Sequence, residues 1–473
     1  MQKVLVWFRN DLRLHDQIAL YQATQKAQEV YAVYCIDERH FVKNSLGMPR
    51  TNTFRAKFLL ESLCDLRLSM RKLGGDLIVR FGKPEIEVAR IARELGVNAV
   101  FASKEATDEE LKVELALEKK LAIQKINLEL FWQYTLYHLE DLPFPIAHLP
   151  DIFTEFRKSV EKYTSVRKSL PKPQKLNPIP ENFFVGEIPS LKKLGLQERT
   201  HCPKAAILFQ GGETEGLKRL HQYFWEKDAL KNYKETRNAL IGADYSSKFS
   251  PWLALGCLSP RFIYEQVKLY EKERIQNEST YWLVFELIWR DYFRFVAKKY
   301  GNSLFWETGI KNENVALQNN QKIFRAWTEG ETGVPFIDAN MRELKATGFM
   351  SNRGRQNVAS FLVKDLHINW VWGAMYFESQ LIDYDVCSNW GNWNYIAGVG
   401  NDPRENRYFN TYSQAKRYDP QGEYIKLWLP ELSQLPAAKL HHFQELSPQE
   451  LESYKVKIGV NYPKPLIQFL ASK

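Results

Sequence analysis

The stretch VLVWFRNDLRLHD, residues 4–16, begins with five apolar residues and runs straight into charge. A short, continuous, β-rich run of this kind reads as a strand buried on both faces, as in a parallel sheet. Comparable runs follow at Glu29–Ile36, Asp76–Phe81, Asn98–Ala102 and Asn127–Phe131, with amphipathic stretches such as Arg55–Leu73 and Pro84–Leu95 between them. Strand and helix therefore alternate over residues 1–132, the pattern of a Rossmann-like parallel sheet wrapped by helices. The first strand leads into RNDLRLHD and not into a glycine-rich turn, so the GxGxxG fingerprint that seats a dinucleotide is missing. This domain is not expected to hold a ligand in the manner of NAD enzymes.

From Leu142 to Thr200 the chain turns Pro- and Lys-rich (LPFPIAHLP, SLPKPQKLNPIP), and helical periodicity survives only at Ile152–Tyr163. A long, mostly surface connector is predicted there. After Ala205 helical signals dominate to about Leu435. The expected organisation is an α/β domain at 1–134, a connector at 135–204 and a large all-helical domain at 205–473, and the length of 473 residues allows both domains a substantial core.

Composition excludes several classes. With 44% hydrophobic and 26% charged residues the chain has an ordinary globular make-up, and no apolar run reaches the roughly 18 residues that span a bilayer. The N-terminus meets charge too early for a secretory signal, and cytoplasm is the expected compartment. The five cysteines never form CxxC and the nine histidines never form HExxH, so no metal site is expected. Two features stand out: aromatics make up 14% of the chain, and Lys+Arg exceed Asp+Glu by 65 to 56. The net +9 suits an anionic partner.

Four segments carry candidate chemistry. In GADYSSKFSPWLALGCLSPR, residues 242–261, Ser250–Pro251 and Ser259–Pro260 are two helix starts, with Ser to cap free N–H groups and Pro preorganised at the first helical position. Ser246, Ser247 and Lys248 lie just upstream, and hydroxyls, an ammonium and a helix N-terminus make a phosphate cradle. The same residues also fit a well-capped helix that binds nothing. In YWLVFELIWRDYFRFVAKKY, residues 281–300, Trp282, Phe285, Trp289, Phe293 and Val296 mark an apolar face on which Glu286 falls. Desolvation there raises a carboxyl pKa, and Arg290, one turn on, is the expected partner. A structural ion pair and a carboxyl group facing a pocket both satisfy this pattern. In residues 348–370, Asn352, Arg355 and Gln356 share a face beside an Arg353–Gly354–Arg355 turn, an arrangement suited to an anionic ligand. QLIDYDVCSNWGNWNY, residues 380–395, supplies Asp383, Asp385, Asn389, Trp390, Trp393 and Tyr395. Two Asp at i, i+2 can ligate a metal, but no His, Cys or third carboxylate completes a shell. Paired acceptors for the N–H donors of a ligand, balanced by Arg355, fit better.

These segments, with VWFRNDLRLHD near the start, resemble the cryptochrome/photolyase family along essentially the whole chain, and SNRGRQ and NYIAGVGNDPR are similar to its DASH cryptochromes. The resemblance implies an all-helical domain holding a U-shaped FAD, with a 5,10-methenyltetrahydrofolate antenna common in the family. Carried over by motif, Tyr233, Ser246, Ser247, Lys248, Phe249 and Ser250 would embrace the FAD phosphates and ribityl chain, which favours the cradle reading. Arg290, Asn352, Arg355, Asp383, Asp385 and Asn389 would line the flavin cavity, with Asn389 facing N5 and Arg355 paired with Asp383 beside the ring. Glu105, in FASKEATDEE, would contact the antenna from an exposed loop.

The implied activity is light-driven transfer of an electron from reduced FAD to a cyclobutane pyrimidine dimer, which splits and returns it; the lesion must first leave the base stack. Glu286 and Asn352 match lesion contacts, Trp289 would stack on the lesion, and Arg237 and Arg353 would meet DNA. Gln356 stands where duplex-repairing photolyases carry Met, and Tyr395 where they carry Trp. Both imply single-stranded or locally unpaired DNA as substrate. Trp393 and Trp370 match the inner and middle members of the family's three-tryptophan photoreduction path. The outer one is absent from Asn312–Gln321, so either Trp327 or a Tyr supplies the exit or photoreduction is slower. The alternative function is a blue-light photoreceptor or transcriptional regulator that binds DNA without repairing it. The protein is expected to be a monomer without membrane contact.

Overall fold

The computed structural model describes residues 1–404 and 407–467. Strands β1 (Lys3–Phe8), β2 (Glu29–Asp37), β3 (Leu77–Gly82), β4 (Ala99–Ser103) and β5 (Asn127–Phe131) form one all-parallel sheet in the order β3-β2-β1-β4-β5. All five expected strands are present. β1 is the centre of the sheet. Val4, Val6 and Phe8 point into one core and Leu5 and Trp7 into the other, which is why its run is apolar throughout. Helices α1 (Ile18–Lys26) and α2 (Thr53–Lys72) cover the first face, and α3 (Pro84–Leu95) and α4 (Asp108–Ile123) the second. α3 starts on Pro84 and stops at Gly96, whose φ of 62° closes the helix in the left-handed region.

The residues that replace a nucleotide-binding turn fasten the sheet domain to the helical one. The N–H of Leu12 donates to the carbonyl of Leu255 (3.1 Å), the Arg13 guanidinium donates to the carbonyl of Gly256 (2.8 Å), and the N–H of Leu14 donates to Glu213 (2.7 Å). Asp16, fully buried, pairs with Arg261 and accepts from Ser259. A Cβ on Gly256, at φ +64°, would lie 2.0 Å from the Asn10 carbonyl oxygen, so the junction closes only with glycine there.

The connector is mostly surface, as expected, but a few residues anchor it. Its helix, Phe153–Tyr163, buries Phe153, Phe156 and Val160 in the main core. Beyond it, the Leu176 N–H donates to Leu73, the Val79 N–H to Val185, and the Arg80 guanidinium to the carbonyls of Phe184 and Val185. The chain thus covers the β3 edge of the sheet, which would otherwise present unpaired backbone groups. Proline-rich composition signalled irregular backbone correctly, but it does not report where scattered Leu, Phe and Val anchors land.

Among the described residues no named strand follows β5, and helices build the rest. The longest, Glu278–Tyr300, starts on a capping box formed by Asn277 and Thr280. Its buried face is Leu283, Val284, Leu287, Ile288, Tyr292 and Phe295, whereas Trp282, Phe285 and Trp289 are only half-buried. Of the expected apolar face, Phe293 and Val296 are core and those three rings form a rim. No helix among the described residues is long and apolar enough to cross a membrane.

Candidate functional site

The loop before the short helix Ser250–Ala254 is unusual in three ways. Lys248 adopts φ +54° while Phe249 is right-handed, an alternation that turns successive N–H groups toward one side. No acceptor among the described residues takes the backbone N–H of Ser246, Ser247 or Lys248. The Lys248 ammonium is 3% exposed and has no hydrogen-bond partner; burial pushes its pKa down to about 7. The capping reading is corrected here. Ser250 is exposed, the residue at the cap position is Phe249, and no side chain caps this helix. Ser259 does cap the helix Pro260–Glu273, accepting from the N–H groups of Arg261 and Phe262. Tyr233 is buried nearby in the turn Tyr233–Thr236.

A cavity in the helical domain brings together Asn352, Arg355, Gln356, Asp383, Asp385, Asn389 and Trp393 from three segments. Arg355 donates to Asp383 at 2.8 Å, leaving the other Asp383 oxygen and the Gln356 side-chain oxygen buried without partners. The Asn389 amide donates to the carbonyl of Ala374 (3.1 Å), so its own oxygen stays free to accept. Residues 353–355, expected as a turn, form the first turn of the helix Asn352–Ser360, capped by Ser351. Asp385 caps the helix Val386–Ala397 and pairs with Arg294 at 3.0 Å. Burial alone would raise its pKa, but Arg294 and Arg290 outweigh that and hold it at about 2. Among the described residues no group of three or more His, Cys, Asp or Glu is arranged to hold a metal.

A second cavity, of about 400 Å³, lies between the domains and is lined by Glu105, Arg50, Arg55, Tyr384, Asp385 and Trp390 among others. Glu105 is buried, at 3% exposure, and pairs with Arg294 (3.0 Å), contrary to the expected exposed loop carboxylate. Tyr384 and Asp385 line both cavities and so partition them.

Comparison with known proteins places this arrangement. A family model described as the FAD binding domain of DNA photolyase matches residues 282–473, and one described as DNA photolyase matches residues 4–176. Over 469 residues the chain is 54% identical to a cryptochrome DASH from Gloeobacter violaceus, covering 99% of this chain and 94% of that one. The chain belongs to the DASH cryptochromes of the cryptochrome/photolyase family. Its fold matches a Synechocystis sp. cryptochrome with a TM-score of 0.96 at 52% identity, over 99% of this chain and 97% of that one. A class III photolyase from Agrobacterium tumefaciens matches with a TM-score of 0.86 at 28% identity, over 99% and 95% of the two chains.

FAD is the group this DASH cryptochrome's helical domain implies, and the residues present fit it. A buried ammonium that rests on the Tyr245 ring without a hydrogen-bond acceptor, beside three free N–H groups, suits a diphosphate, and unpaired Asp383 and Gln356 oxygens suit ring N–H donors.

At the rim, Glu286 pairs with Arg237, 49 residues away in sequence, and not with Arg290. Burial raises the Glu286 pKa and Arg237 opposes the shift. The Arg290 guanidinium instead donates to the carbonyls of Tyr134 and Leu253, and Arg290 lines neither cavity. Phe153 of the connector stacks on Trp289 at 3.5 Å, so one face of that indole is taken. Tyr395 meets Trp289 edge-on, and its hydroxyl accepts from Arg407 (2.9 Å). Arg353 lies over the Tyr418 ring and donates to Asn238. Trp393 and Trp370 are both buried. Trp327 lies 6.3 Å from Trp393 but is fully buried, so it reaches no solvent itself. Sequence reasoning missed Arg294, which joins Glu105 to Asp385, and Tyr384, the partition. Arg294 carried a signal, standing four residues after Arg290 in a helix otherwise rich in rings.

Proposed function

We propose that the protein is a light-driven deoxyribodipyrimidine photolyase-type lyase that acts on cyclobutane pyrimidine dimers, mainly in single-stranded or locally unpaired DNA. The observation that carries this reading is the shared cavity: Asn352 and Gln356, the lesion-side residues, line the same space as Arg355, Asp383 and Asn389, the flavin-side residues. Bound FAD, when reduced, supplies the photochemical electron. The chain's own part is to hold the ring with Arg355, Asp383 and Asn389, to seat the diphosphate on residues 246–248, and to receive an extruded base between Gln356 and the rim of Trp289 and Tyr395. Glu286, with its pKa raised by burial, is placed to hydrogen-bond a pyrimidine carbonyl, and Arg237 steadies it. Arg237, Arg353 and Arg407 form the cationic margin that DNA phosphates would meet.

The division 1–134, 135–204 and 205–473 is retained, supported by β5 ending at Phe131 and by the run of helices that starts with Glu213–His221. The interdomain cavity, at about 400 Å³ and with Glu105 in its wall, is assigned to the 5,10-methenyltetrahydrofolate antenna. The protein is read as a cytoplasmic monomer, and as slower in photoreduction than members with three tryptophans.

The test is illumination of the reduced holoprotein with dimer-containing oligonucleotides, single-stranded and duplex, and measurement of restored pyrimidines. Restoration favouring the single strand is expected, with Glu286→Ala lowering it about 10- to 100-fold because the lesion carbonyl loses its donor. Binding without restoration would instead establish the photoreceptor or transcriptional-regulator reading.

A further inference from the structure

Arg219 lies in the last turn of the helix Glu213–His221 and is 6% exposed, although neither cavity is lined by it. Its guanidinium donates to four acceptors, all in one short loop. They are the carbonyls of Ser247 (3.0 Å), Ala243 (3.1 Å) and Ser246 (3.2 Å), and the Asp244 carboxylate (2.8 Å). The Tyr223 ring lies on its other side, 5.2 Å from the guanidinium carbon. A rigid, planar fork with five donors is the one side chain that can draw several carbonyls toward a single point. Carbonyls of 246 and 247 drawn to one side leave the following N–H groups on the other, which is where no acceptor in the chain takes them.

We propose that Arg219 is a positioning residue for anion binding: it holds the 243–248 loop in the shape whose N–H groups and Lys248 ammonium receive the cofactor diphosphate. The inference rests on the reading of that loop as the diphosphate cradle. Arg219 lines neither cavity and acts through the backbone of Ser246 and Ser247. Two cations, Arg219 and Lys248, therefore divide the work, one shaping the loop from behind and one facing the anion.

The full-length apoprotein, titrated with FAD and separately with riboflavin by quenching of flavin fluorescence, tests this. Arg219→Met is expected to weaken FAD binding about 10- to 100-fold, the loss of several charge-assisted bonds, with riboflavin binding unchanged because riboflavin carries no phosphate. Arg219→Lys, which keeps charge but reaches fewer acceptors, is expected to fall between wild type and Met and guards against a variant that fails to fold. Equal weakening toward both ligands, or unchanged FAD binding in both variants, overturns the proposal. If wild type itself binds FAD no better than riboflavin, the cradle reading falls, and the positioning role with it.

Discussion

Lys248 shows how a single side chain carries a pH signature. Its ammonium is buried on the Tyr245 ring with no hydrogen-bond acceptor, and burial lowers its folded pKa from 10.5 to about 7. An amine with a depressed folded pKa penalises the fold fully below that folded value, and the penalty disappears above the unfolded value. The apoprotein is therefore expected to gain thermal stability as pH rises from about 7 toward 10.5, and Lys248→Met should flatten that rise in a melting series. FAD should flatten it too, because a diphosphate gives the ammonium its missing partner. At this scale the sequence singled out Glu286 and missed its partner. Arg290 is one helical turn from Glu286 and was the nearest cation by spacing, but the fold delivers Arg237 from another segment. Spacing along one helix reports neighbours on that helix only.

Helices Trp370–Gln380 and Val386–Ala397 meet at Trp393, and glycine sets their distance. A Cβ on Gly373 would lie 2.2 Å from Cη2 of Trp393 and 2.7 Å from Cδ2 of Leu362. Gly373→Ala is expected to cost about 1–3 kcal/mol by overpacking. Calorimetric melting should show that loss, and flavin photoreduction in the same variant should slow because Trp393 is displaced. The elements themselves were legible: all five strands and α3 follow from period and punctuation, since buried strands need continuous apolar runs. The working face of Glu278–Tyr300 was not. Rings and aliphatic residues count alike as apolar in a periodicity, yet Leu and Ile fill the core while Trp282, Phe285 and Trp289 stand at a rim.

Across the whole molecule, the domains are joined by a buried chain of charge. Arg294 bridges Glu105, just beyond β4, to Asp385, the cap of a helix at the flavin cavity, and both partners lie 3.0 Å away. Arg294→Met removes the cation shared by two buried carboxylates and is expected to cost about 3–5 kcal/mol. Chemical unfolding should show it, and the loss should shrink at acid pH as Asp385 protonates. The sequence by itself determined the parallel sheet, the helical domain and the family, and it singled out Asn352, Arg355, Gln356, Asp383, Asp385, Asn389 and Trp393, which line one cavity, because hydrophobic period and long ordered motifs are local properties of the chain. Tertiary structure alone decided that Glu105 is buried, that the connector is bolted to a sheet edge, that RNDLRLHD is a junction, and that Arg219 and Arg294 matter. Each of those facts is a pairing between segments far apart in sequence, and the cost of leaving a buried charge or backbone group unpaired selects such pairings only once the chain has closed on itself.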